Sequence, residues 1–123
     1  MAIATARDAA DLLAPLFAAA AEERVAILYL DKDGRELALD AQPGAADFVG
    51  LPIRAIVARA LALDARGLVI AHNHPSGDAR PSAADRAATR RLAVLCEGLE
   101  IVLHDHLIFA GGECESLRRL GLL

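Results

Sequence analysis

Apolar residues fall along this chain in two rhythms, one of helical period and one of strand runs. Over residues 5–21, Leu12, Leu13, Leu16 and Phe17 share one stripe and predict a first helix. Pro15 is expected to kink or interrupt that helix, because its ring removes a backbone donor. Residues 24–30 form an almost unbroken apolar run that predicts a strand, and Asp31-Lys32-Asp33-Gly34 predicts a hairpin turn. The return strand is expected over residues 35–41, with Leu37 and Leu39 on one face and Glu36, Ala38 and Asp40 on the other. Pro43, Gly44 and Gly50 predict a loop over residues 42–51. A second helix then runs from Pro52 to about residue 65, since proline suits the first helical position. Its inward stripe is Ile53, Ile56, Val57, Ala60 and Leu61. Gly67-Leu68-Val69-Ile70-Ala71 reads as a short buried strand, and residues 82–96 as a third helix with Ala88, Leu92, Leu95 and Leu99 inward. Residues 99–109 predict a further strand, closed by the turn residues Gly111 and Gly112.

Composition narrows the class. The 123 residues suit one domain, large enough to bury a core without disulfides. With 55% hydrophobic but only 3% aromatic residues, that core must be aliphatic, as where helices pack on a sheet. A net charge of −4 gives no electrostatic reason to expect tight nucleic-acid binding. No apolar run is long enough to span a bilayer, and the N-terminus lacks a signal-peptide pattern. Cys96 and Cys114 form no C-x-x-C pair and are expected to be reduced residues of a cytoplasmic protein.

The chemistry is concentrated in Ala71-His72-Asn73-His74-Pro75-Ser76-Gly77 and the residues that follow it to Asp85. Strand alternation sends His72 and His74 the same way at a strand's end, and Pro75 and Gly77 then turn the chain. A helix opening at Ser82 places Asp85 in its first turn, so two imidazoles and a carboxylate can converge. Those are normal zinc donors, and a catalytic zinc site uses three protein ligands with the fourth position left for water. Water bound there acidifies towards a pKa of about 7. Ser82, beside the ligands, is placed to donate to a developing oxyanion. The same Ser82-x-x-Asp85 is also a capping box, in which Asp85 reaches back to the backbone of its own helix.

His72-x-His74-Pro75 followed by Ser82-x-x-Asp85 resembles the signature of the JAMM (JAB/MPN-type) metallopeptidases. The fuller string His72-Asn73-His74-Pro75-Ser76-Gly77 with Pro81-Ser82 and Asp85 is similar to the RadC branch. The resemblance runs from about Val25 to Leu123. It implies an α/β fold, a three-layer α/β/α sandwich with a mixed β-sheet, like JAMM domains and similar in outline to cytidine deaminases. It also implies Zn2+ held by His72, His74 and Asp85, with Ser82 stabilising the reacting oxygen. Deaminase chemistry itself requires His-x-Glu and Pro-Cys-x-x-Cys, and neither occurs here. The His-Glu-x-x-His of helical zinc peptidases is absent too.

Hydrolysis also needs a general base. In relatives this is read as a Glu at the end of the second strand, followed by Gly-Thr; here the matching stretch is Asp40-Ala41-Gln42-Pro43-Gly44-Ala45. Counting back from Gly44 selects Asp40, counting forward from the first strand selects Ala41, and Glu36 is the fallback on the same strand face as Asp40. RadC relatives carry Pro-Arg-Glu near the second helix, where this chain has Pro52-Ile53-Arg54-Ala55. They also carry an Asp-His pair matched by Asp105-His106, which is not among the ligands and is expected to orient them or to be structural. His104-Asp105-His106 is a second His-x-His, with both rings expected on one face.

The activity implied is zinc-dependent cleavage of a peptide or isopeptide bond in a polypeptide substrate, such as one with a flexible or ubiquitin-like tail. A non-catalytic binding module on the same fold is the alternative. Arg80, Arg86, Arg90 and Arg91 would draw in an acidic tail or phosphate backbone, or simply form a solvated helix surface. No aromatic platform for single-stranded nucleic acid accompanies them. The helix-hairpin-helix module of full-length RadC proteins has no counterpart before residue 24, so a DNA-associated role is the third and least favoured reading. Residues 1–21 are expected to be an N-terminal helical segment and 24–123 the catalytic-type core.

Overall fold

A computed structural model describes residues 6–18, 20–43 and 51–123. Among these residues, five strands form one mixed sheet in the order β2-β1-β3-β4-β5, with β1 Arg24–Leu30, β2 Glu36–Pro43, β3 Gly67–Asn73, β4 Val102–Ala110 and β5 Glu113–Ser116. Only β3 and β4 run parallel, joined over the helix α3 (Ala83–Gly98) as a β-α-β unit; the other pairs are antiparallel. Helices α1 (Ala6–Phe17) and α2 (Ile53–Ala62) complete the α/β fold.

Strands covered on both faces need apolar side chains on both, so they read as continuous hydrophobic runs. That is the condition of β3, buried at every position, and of β1, buried at all but Arg24. On one face Val25, Ile27, Leu68 and Ile70 pack with Ile56 and Ala60 of α2 and Leu92 and Cys96 of α3. On the other, Ala26, Leu28, Val69 and Ala71 pack with Ala9, Leu13 and Phe17 of α1. Phe17 stacks on Phe109 with ring centroids 4.9 Å apart. The layers are therefore α1, sheet, and α2 with α3.

Several sequence expectations shift. Helix α1 runs through Pro15, which lies on its exposed side, and ends two residues later. The second strand extends to Pro43, and the fourth starts at Val102 rather than residue 99. The expected loop at 42–51 lies outside the described residues from 44 to 50. Leu61 is exposed, so the inward face of α2 is narrower than expected. Leu95 and Leu99 are exposed as well; α3 turns Asp85, Thr89, Leu92 and Cys96 inward instead. Just past α2 and α3 stand residues with positive φ, Asp64 and Glu100, and the amide that follows each bonds back across the last turn. A register shift in the β3–β4 ladder skips His104, leaving it exposed while His106 is fully buried. The second His-x-His is thus pulled apart. Gly67 makes room for the His104 ring: a Cβ there would stand 2.5 Å from His104 Nε2.

Candidate metal centre

The site forms where β3 ends and α3 begins. His72 is paired across the sheet with Val25, so its ring points to the α3 side, and it is wholly buried. His74 lies one step beyond the strand, where its amide still donates to Phe109 O at 2.9 Å and continues the ladder. The turn through Pro75 and Gly77, the latter at φ 89°, then delivers the chain to Ser82.

Ser82 caps α3 with a complete capping box: Asp85 N donates to Ser82 Oγ at 3.0 Å, and Ser82 N donates to Asp85 Oδ2 at 2.8 Å. The capping and ligand roles of Asp85 are compatible because they use different oxygens. Oδ2 serves the cap. Oδ1 is buried with no hydrogen-bond partner, the lone such side-chain atom among the described residues. It lies 3.4 Å from His72 Nε2, while His74 Nε2 is 3.2 Å from Oδ2 and 2.9 Å from His72 Nε2. Three donors about 2.0–2.1 Å from a tetrahedral zinc stand about 3.3 Å apart, close to each of these separations, although the two imidazoles meet different oxygens of Asp85. Ser82 is exposed beside it.

Electrostatics favour a cation here. His74 Nδ1 donates to Asp78 O at 2.8 Å, since a carbonyl can only accept; in its neutral form the ring therefore turns an unprotonated Nε2 inward. Burial opposes the charged form of Asp85, while the hydrogen bond from the Ser82 amide favours it. Burial pushes the His72 pKa down, against the pull of Asp85. A buried carboxylate facing two imidazole nitrogens, with one oxygen unsatisfied, is an electron-rich pocket that a divalent metal satisfies.

Behind the cluster His106 Nε2 lies 2.7 Å from His72 Nδ1, and His106 Nδ1 lies 2.5 Å from Thr89 Oγ1. Burial and the neighbouring His72 push the His106 pKa down to about 3. Asp105 faces away from these rings. It accepts from His106 N at 2.7 Å, Ser116 Oγ at 2.5 Å and Arg118 N at 3.1 Å, tying β4 to the C-terminal turn.

The structure does not bring Asp40 to this cluster. On the edge strand β2, Asp40 is paired with Ile27 and separated from β3 by the whole of β1; its carboxylate is bound by Arg59 at 3.1 Å. Glu36 is exposed at the opposite end of the sheet, across from Leu30. Arg54 is exposed too, as are Arg80, Arg86, Arg90 and Arg91. A buried carboxylate that the sequence pattern does not single out is Glu23. It is buried at 9% exposure immediately before β1. Asn73 clamps the residues around it: its Oδ1 accepts from Arg24 N at 2.7 Å and its Nδ2 donates to Glu22 O at 3.0 Å. Arg24 reaches Leu16 O of α1, so alternation directs Glu23 to the opposite side, the face of Val25 and His72. A signal existed: the inward phase of β1, read back from Val25, begins on an acid.

Neither thiol is poised for reaction. Cys96 is buried with its pKa raised, and burial together with Asp105 and Glu115 pushes Cys114 up to about 11. No helix among the described residues is long and apolar enough to cross a membrane.

A mixed sheet with helices on both faces, and a His-His-Asp cluster where a parallel strand meets the next helix, defines an α/β domain with the donor set of a metal centre. Comparison with known families gives the assignment. Residues 3–122 match the RadC-like JAB domain, and the chain belongs to that family. It is 44% identical over 102 residues to a UPF0758 protein of Rhodobacter capsulatus, covering 82% of this chain and 48% of that protein. A UPF0758 protein of Acidithiobacillus ferrooxidans is 44% identical over 100 residues, covering 80% of this chain and 45% of its own length. A third, of Ruegeria pomeroyi, is 40% identical over 102 residues, 82% of this chain and 46% of that protein. The chain thus spans about half the length of the curated relatives it matches.

Proposed function

We propose that this domain is a zinc-dependent hydrolase of peptide or isopeptide bonds, with His72, His74 and Asp85 holding the metal. The observation that carries the reading is the buried, unsatisfied Oδ1 of Asp85 beside two imidazole nitrogens at ligand spacing. Zinc, when bound, supplies Lewis acidity, polarising a carbonyl and bringing the pKa of water from 15.7 to about 7. Membership of the RadC-like JAB family supports the same reading.

The other steps fall to the chain itself. Glu23 is the general base in this proposal: its carboxylate accepts a proton from the attacking water and returns it to the leaving amine. Burial and the Asn73 clamp hold it in place. Asp40, engaged by Arg59, serves the β2 edge. Ser82 Oγ accepts from Asp85 N–H, and its own O–H is placed to donate to the substrate oxygen as charge develops there. The substrate is a polypeptide, entering extended along a cleft of about 550 Å³ between α1 and the β4–β5 turn that reaches His74. Phe17, Phe109, Gly111 and Gly112 line it, which suits a flexible or ubiquitin-like tail.

The test is hydrolysis of a peptide and isopeptide panel by zinc-loaded protein. Cleavage abolished by chelation and restored by zinc is expected. A zinc-loaded protein that cleaves no member of the panel would overturn the hydrolase reading.

A further inference from the structure

From the metal cluster a buried line of side chains, His72 to His106 to Thr89, reaches away into the α3–β4 interface. Its hydrogen positions follow from chemistry. Thr89 Oγ1 lies 2.7 Å from Asp85 O, and a carbonyl only accepts, so the single hydroxyl proton points there. Toward His106, Thr89 can then only accept, and His106 Nδ1 must carry the proton. The reverse arrangement would leave two oxygens 2.7 Å apart with no proton between them. His106 is fully buried, which disfavours its cationic form, so its Nε2 is unprotonated and accepts. The partner 2.7 Å away, His72 Nδ1, must therefore donate. A neutral His72 with its proton on Nδ1 presents an unprotonated Nε2 to Asp85 and His74.

We infer that Thr89 and His106 are positioning residues whose hydrogen bonds lock His72 in the Nδ1–H tautomer, so that its Nε2 is ready to receive a metal. The inference rests on the metal reading for its purpose, though the tautomer can be measured without metal. The two imidazoles are set by separate devices. A backbone carbonyl, Asp78 O, fixes His74, whereas side chains of α3 and β4 fix His72. Orienting groups of this kind are commonly worth about 10–100-fold in metal affinity. The arrangement also accounts for polar Thr89 on the inward face of α3, where an aliphatic residue would otherwise pack.

The experiment is long-range 1H–15N correlation on histidine-labelled, metal-free protein at neutral pH, with zinc affinity measured by competition against a chromogenic chelator. His72 and His106 are expected as Nδ1–H tautomers in the wild type. Thr89→Val, close to isosteric, is expected to mix the His72 tautomers and weaken zinc binding about 10–100-fold. Thr89→Ser, which keeps the hydroxyl, is expected to hold the wild-type tautomer and to stay within a few-fold in affinity. His72 protonated on Nε2 in the metal-free wild type overturns the inference, as does Thr89→Val with unchanged tautomer and affinity. Should Thr89→Val not fold, the wild-type tautomers still decide. A wild type that shows both Nδ1–H rings but binds no zinc upholds the relay and sinks the metal reading instead.

Discussion

His72 Nε2 and His74 Nε2 stand 2.9 Å apart, each on a ring whose other nitrogen is held from outside the cluster, by His106 and by Asp78 O. With Asp85 Oδ1 alongside, the three residues present acceptors to one another rather than donors. Such a convergence is electrostatically unfavourable until a cation sits among them.

Glu23 and Asp40, two of the three carboxylates considered as base, should separate cleanly on substitution. Glu23→Gln should lower hydrolysis by about 10²–10⁴-fold while leaving zinc content unchanged. Asp40→Asn should leave both near wild type, because Asp40 is occupied by Arg59 on the sheet edge. Steady-state rates with metal analysis of both variants check this; the opposite ranking would return the role to Asp40.

The chain's single tyrosine gives a pH signature. Burial, then the charge of Asp40, pushes Tyr29 up to about 12. The unfolded chain titrates near pH 10, so between about pH 10 and 12 it holds fewer protons than the folded one, and stability must fall as pH rises through that window. Phenolate absorbance should titrate near 12 in the folded protein and near 10 in denaturant. Asp40→Asn should move the folded midpoint down. A folded wild-type midpoint near 10 would contradict the assignment.

Ser82 and Asp85 share a helix cap but not a function. Ser82→Ala should cost about 1 kcal/mol of stability through the lost cap and retain zinc, while hydrolysis drops about 10²–10³-fold. Asp85→Asn keeps an oxygen for Ser82 N–H, so melting should change little while zinc affinity collapses. Thermal melts paired with zinc titrations distinguish the two; retained zinc in Asp85→Asn would remove Asp85 from the ligand set.

Asp105 is predicted to be structural. Asp105→Ala leaves the His106 and Arg118 amides and the Ser116 hydroxyl without their acceptor. Each orphaned buried donor costs about 1–3 kcal/mol, so a loss of several kcal/mol is expected in denaturant melts. A neutral substitution would mean that the C-terminal turn holds by other contacts.

Much of this fold is legible in the chain because β1 and β3 are covered on both sides and so appear as plain apolar runs. The His72-His74-Asp85 cluster is legible because its three residues lie close in sequence and the turn between them is spelled by Pro75 and Gly77. The inward face of α3 is harder to read, for a definite reason. Two of its four inward positions, Asp85 and Thr89, are polar because they face the site, so the hydrophobic pattern drifts to Leu95 and Leu99. Similarly, Glu23 escapes notice because it stands just before β1, and the backbone on either side of it is held by Asn73, far away in sequence. The pairing of Asp40 with Arg59 is equally a tertiary fact.

Equilibrium dialysis against zinc, followed by elemental analysis, measures the central property most directly. One zinc ion per chain is expected in the wild type, lost on His74→Ala and on Asp85→Ala. A folded wild type that retains no more zinc than the His74→Ala variant would contradict the account.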